Sequence, residues 1–82
     1  MIAAAARRQV AKLGRSEQRR IAAKIRSLAE NPRRPGVEKL TDAGDQYRVR
    51  VGQNRIVYAI DDKARIVTVK AVRGRDDIYR KR

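Results

Sequence analysis

Hydrophobic and polar positions change period near the middle of the chain. In the first third, Ala6, Val10 and Leu13 fall at i, i+4 and i+7 and form one stripe of a helix ending at Gly14. Ile21, Ile25, Leu28 and Ala29 continue helical spacing in a second segment, which Asn31-Pro32 ends. Ser16 is the expected N-cap of that helix, with Glu17 in its first turn facing the positive end of the helix dipole. Asn31 to Gly36 holds both prolines and reads as a loop. Val37 to Leu40 is a short extended or turn segment, and residues 41–45 form a second loop. From Gln46 onward the period is two. Strands are predicted over about Gln46–Val51, Arg55–Ile60 and Arg65–Val72, followed by a tail from Gly74 to Arg82. The order predicts one α+β domain over residues 1–82: an N-terminal antiparallel helical hairpin packed on a C-terminal antiparallel sheet of at least three strands.

The polar positions of the first strand pair are not neutral. In Tyr47-Arg48-Val49-Arg50-Val51 and Arg55-Ile56-Val57-Tyr58, arginines alternate with apolar residues, so one sheet face is greasy and the other cationic. A Gln53-Asn54 two-residue turn, or a four-residue turn over Gly52–Arg55, pairs Val51 with Ile56, Val49 with Tyr58 and Tyr47 with Ile60. Arg48, Arg50 and Arg55 then share the opposite face. An even-length loop over Asp61–Ala64 buries Val67, Val69 and Ala71 and places Thr68 and Lys70 beside the arginines. An odd loop would bury Lys70, which is unfavourable. Cations gathered this closely repel one another unless an anion sits among them.

Composition agrees with that face. Lys and Arg number 22 against 9 acids, a formal charge of +13, which favours a polyanionic partner. The helices add basic outer faces through Arg7, Arg8, Lys12, Arg19, Arg20, Lys24 and Arg26. The chain has no cysteine and no histidine, which excludes disulfides, a Ser-His or Cys-His nucleophile pair, a histidine base and a His-ligated zinc site. No metal site and no cofactor are expected, and Asp61-Asp62 reads as a hairpin tip. No apolar run approaches the roughly 20 residues of a membrane span, and a cytoplasmic location is expected.

Several stretches resemble the RelE family, within the RelE/ParE group of type II toxin–antitoxin toxins. They are Asn31-Pro32-Arg33-Arg34-Pro35-Gly36, Lys39-Leu40, Tyr47 to Gly52, Asn54 to Tyr58, and Asp77-Ile78-Tyr79-Arg80. The resemblance implies a growth-arresting endoribonuclease, an mRNA interferase that cuts messenger RNA in the ribosomal A site. Its implied partners are mRNA, the ribosome with its 16S rRNA, and a cognate antitoxin. By motif, Arg48 and Arg50 match the paired basic positions of one strand, and Arg55 matches the arginine opening the next. Arg73 or Arg75 matches the basic residue after the last strand, and Tyr79 the tyrosine near the end. Lys70, Arg80 and Lys81 are the expected further RNA contacts.

Two departures accompany the match. Relatives usually begin with a strand before the first helix, whereas this chain is expected to start inside that helix. Many also carry Gly-His-Arg where this chain has Arg73-Gly74-Arg75. Attack by the RNA's own 2′-hydroxyl needs a proton acceptor, charge stabilisation at phosphorus and a proton for the leaving oxygen. Guanidinium groups meet the second need. Tyr79 is the expected proton-transfer group, provided neighbouring arginines lower its pKa. A ParE-like inhibitor of DNA gyrase and a non-catalytic basic RNA- or ribosome-binding relative stay open as alternatives.

Overall fold

The computed structural model describes residues 1–40 and 45–74 and has the expected α+β architecture. Helices α1 (Ala4–Ala11) and α2 (Arg15–Glu30) cover one face of a sheet formed by β1 (Glu38–Lys39), β2 (Gln46–Val51), β3 (Asn54–Asp61) and β4 (Ile66–Gly74). The four strands lie in chain order, each antiparallel to its neighbour. Ala6, Ile21 and Leu28 from the helices meet Tyr47, Val49, Ile56, Tyr58, Ile60, Val69 and Val72 from the sheet, and these form the core. Alternation along β3 carries this through: Asn54, Ile56, Tyr58 and Ile60 are buried while the residues between them are half-buried. Among the described residues no helix is long and apolar enough to cross a membrane.

The helix boundaries differ from the expected ones. Helix α1 ends at Ala11, with Lys12 as its C-cap, although Leu13 still packs against the core. Gly14, not Ser16, is the N-cap of α2, and Ser16 lies inside the helix. The amide of Gln18 donates to the Gly14 carbonyl at 2.9 Å, so the helix starts without a side-chain cap. Ala29 is exposed, since the core-facing stripe of α2 ends at Leu28.

The chain does not begin inside the first helix. Residues 1–3 run extended beside β4, where Ile2 makes a parallel bridge to Val69. The Ala3 amide donates to the Val69 carbonyl at 2.9 Å, and the Val69 amide donates to the Met1 carbonyl at 2.8 Å. Further along β4, the Val72 amide donates to Gln9 Oε1 of α1 at 2.6 Å. Backbone groups on that strand edge are thereby satisfied from within the chain.

Besides a β3–β4 turn that falls one residue later than expected and pairs Ile60 with Val67, register differs from the expectation in two places. The β2–β3 turn is Gly52-Gln53, so Val51 pairs with Asn54, Val49 with Ile56 and Tyr47 with Tyr58. Gly52 takes φ +59°, a conformation open to glycine at little cost, which fixes the turn one residue earlier than Gln53-Asn54. Because the pairing slips by two residues, every side chain keeps its predicted face. The slip also buries Asn54, whose Nδ2 donates to Glu17 Oε2 of α2 at 3.5 Å. The second departure is a β-bulge. Tyr58 pairs with Val69 but Val57 pairs with Ala71, which leaves Lys70 unmatched. Beyond it, Val72 enters the core and Ala71 does not, contrary to the expectation for Ala71.

Ile56 is fully buried at the centre of the sheet, opposite Val49 and Val72. Ile56→Ala is expected to cost about 2–5 kcal/mol of unfolding free energy. Chemical denaturation of the two proteins measures the difference directly.

Candidate functional site

The face of the sheet turned away from the helices carries the arginines in two cross-strand rows. One row runs Glu38–Arg48–Val57–Ala71 across β1 to β4. The next runs Arg50–Arg55–Arg73 across β2 to β4. Directly opposed residues lie on the same face with their Cβ atoms about 4.5–5.5 Å apart. Like charges placed so closely destabilise the sheet, and nothing in the hydrophobic pattern of the core requires them there.

Arg48, Arg50 and Arg55 line one cleft of about 410 Å³, walled on its other side by Gly36, Val37 and Glu38. The three arginines expected to act together are thus together. Arg73 reaches the same face because the bulge changes the parity of β4. In an unbroken strand Val69 and Arg73 would point the same way. Lys70 is exposed at the bulge itself. Arg75, Tyr79, Arg80 and Lys81 lie outside the described residues.

Glu38 was not foreseen. Its Oε1 accepts hydrogen bonds from Arg48 Nη2 at 2.6 Å and Nε at 3.1 Å, so a carboxylate sits at the rim of the guanidinium cluster. The bond from Arg48 holds the Glu38 carboxyl below the usual glutamate range, with further help from the charges of Arg50 and Arg55. The sequence held a partial signal: Val37 and Leu40 flank two charged residues, and a strand there places Glu38 opposite Arg48.

The loop that delivers Glu38 is anchored at its start. Arg33 donates from Nη1 and Nη2 to the two carboxylate oxygens of Asp62 at 3.0 and 2.9 Å. Its guanidinium carbon stands 5.5 Å from the centre of the Tyr47 ring. Tyr47 stacks on Tyr58 with centroids 5.9 Å apart. The Tyr58 hydroxyl donates to the Pro32 carbonyl at 2.6 Å, and burial pushes its pKa up to about 12. The hydrogen bond from Arg33 holds the Asp62 carboxyl below its usual range. These contacts join residues far apart in the chain, and no local pattern announces them.

The family model of ParE toxins of type II toxin–antitoxin systems, the parDE type, matches residues 1–79. The chain belongs to this toxin family. Membership in the wider RelE/ParE group, expected from the hairpin motif, is thereby borne out, and the fold leads to RelE proteins. In the RelE–RelB complex of Pyrococcus horikoshii OT3, a chain with TM-score 0.80 and 25% identity is matched over 90% of each chain. The isolated Escherichia coli RelE toxin gives a TM-score of 0.78 at 26% identity, over 95% of this chain and 86% of that one. The RelBE2 toxin–antitoxin complex of Mycobacterium tuberculosis gives 0.70 at 28% identity, over 92% and 94%. No curated protein sequence matches the chain. The toxin therefore combines a ParE-type family match with a RelE-like fold and an arginine-lined cleft.

Because the folded-state pKa of Glu38 is depressed, its ion pair with Arg48 is present above the unfolded-state pKa of about 4.3 and is lost as pH falls through the folded value. Carbon-detected NMR titration of the Glu38 carboxyl should give a midpoint below the ordinary glutamate value. The midpoint should rise in Arg48→Ala; one unchanged by that substitution would contradict the pairing.

Proposed function

We propose that this toxin is an endoribonuclease that cuts messenger RNA on the ribosome, using the arginine-lined cleft to bind the reacting phosphate. One observation supports the reading above the others: Arg48, Arg50 and Arg55 line one cleft with Glu38 at its wall. In-line attack by a 2′-hydroxyl on the adjacent phosphorus places extra negative charge on the non-bridging oxygens. Guanidinium groups aimed there stabilise the transition state more than the ground state. Arg50 and Arg55 are the proposed primary phosphate ligands, with Arg73 extending the row across β4.

Glu38 is the proposed proton acceptor, since it is the carboxylate among the described residues that line the cleft and it is ionised at neutral pH. It takes the 2′-hydroxyl proton as the new bond to phosphorus forms. The bond from phosphorus to the 5′-oxygen breaks, and the leaving oxygen takes a proton from a general acid. Tyr79 is the proposed donor, and Arg75 is proposed to steady the leaving group. Lys70, Arg80 and Lys81 are proposed RNA contacts outside the reacting centre. This chemistry needs no metal. Arg48 must exchange Glu38 for a phosphate oxygen when substrate binds, which frees the carboxylate to act.

The proposed antidote is a cognate antitoxin. Relatives of this fold have been solved as RelE–RelB and RelBE complexes. An acidic, disordered segment would bind a +13 surface readily. The family match favours a second reading, inhibition of DNA gyrase, because the matching model is that of ParE toxins.

Primer extension on a translated message after induction separates the readings. New 5′ ends within codons are expected for the natural chain. Arg55→Ala should reduce cutting by roughly 100-fold or more, the loss seen when one transition-state charge donor is removed. Growth arrest without cuts, accompanied by gyrase inhibition, would sink the ribonuclease reading. No arrest at all would leave a binding protein without toxic activity.

A further inference from the structure

The bulge in β4 inserts Lys70, which has no partner on β3, between Val69 and Ala71. Val69 and Val72 both face the core, although residues three apart on a regular strand face opposite sides. Two residues, Lys70 and Ala71, therefore lie off the core side between them, and only Ala71 is matched, to Val57. Removing Lys70 on paper leaves Ala71 opposite Val57, Val72 opposite Ile56 and Arg73 opposite Arg55, in an unbroken ladder with every face unchanged. What the extra residue supplies is one more exposed cation on a face that already repels itself. A solvated lysine needs no bulge.

Lys70 has a defined setting. Val57 and Ala71 are small, half-buried and side by side, with Arg48 on the β2 side of Val57 and Lys70 next to Ala71 on β4. The backbones of β2 and β4 are two strand spacings apart, ~10 Å. Arg and Lys side chains are long enough to grip neighbouring phosphates of one strand across that gap. The small apolar floor between them has room for a sugar or base.

Resting on the ribonuclease reading, we infer that the bulge builds a two-phosphate subsite. Arg48, Arg50 and Arg55 hold the reacting phosphate, the adjoining nucleoside lies over Val57 and Ala71, and Lys70 grips the neighbouring phosphate. The RNA strand then crosses the β-strands from β2 towards β4 instead of following them. Single-stranded RNA fits this path because its nucleosides are free to lie flat against the sheet.

The test uses uncleavable 2′-O-methyl oligonucleotides, one a dinucleotide with a single phosphate and one a trinucleotide with two. Binding is measured by calorimetry or NMR over a range of salt. The natural chain should bind the two-phosphate probe about fivefold more tightly, the value of one exposed charge contact. Lys70→Ala, which keeps the bulge, and deletion of Lys70, which removes it, should both abolish that gain. Neither should change affinity for the one-phosphate probe. The salt slope for the longer probe should fall by about 0.7, and Lys70→Arg should restore both. The inference is overturned if Lys70→Ala keeps the gain or weakens both probes equally. It is also overturned if the deletion variant fails to fold, since the extra residue would then be structural. Absence of binding of either probe to the natural chain would instead overturn the RNA reading beneath it.

Discussion

Electrostatic repulsion within the sheet is the constraint around which the molecule is arranged. The helices bury one face of a thin sheet, and the arginines of β2, β3 and β4 lie on the other. Arg50, Arg55 and Arg73 stand opposite one another across β2, β3 and β4. The fold tolerates that row because Ile56, Tyr58, Val69 and Val72 supply the burial that holds the same strands together from behind. Glu38 relieves part of the strain by pairing with Arg48. The cluster is thus held away from its own lowest-energy arrangement by an apolar core of modest size. Such a site gains more from an incoming anion than a relaxed one would.

The hairpin illustrates what a sequence with strict alternation reveals and what it does not. Parity was legible: Arg48, Arg50 and Arg55 share a face under any pairing that shifts by an even number, so the slip to a Gly52-Gln53 turn left the faces intact. Pairing partners were not, because a turn with glycine first and one with glycine outside it satisfy the same pattern. The bulge at Lys70 was not legible either. Thr68, Lys70 and Ala71 continue a plausible alternation, and only the competition between Ala71 and Val72 for the core decides against it. Burying the larger valine releases more apolar surface from water than burying alanine does.

The helices were read correctly in number and order, with their ends displaced. Gly14 serves as N-cap where a hydroxyl was expected, since Arg15 and Ser16 already have helical geometry. Glu38 and the Arg33–Asp62 pair were missed for a common reason. Each depends on two segments separated by a loop, and a short strand such as β1 exists only because β2 is there to receive it. The part of the cleft with the acid was therefore the part least visible in the chain.

The parallel bridge between Ile2 and Val69 has a consequence for the order in which the toxin comes into being. Residues that precede α1 are completed by contacts to a strand that follows every other described element in the chain. That strand also bears Lys70 and Arg73 and provides two buried valines. A chain still lacking β4 has neither a closed core nor a full cationic face.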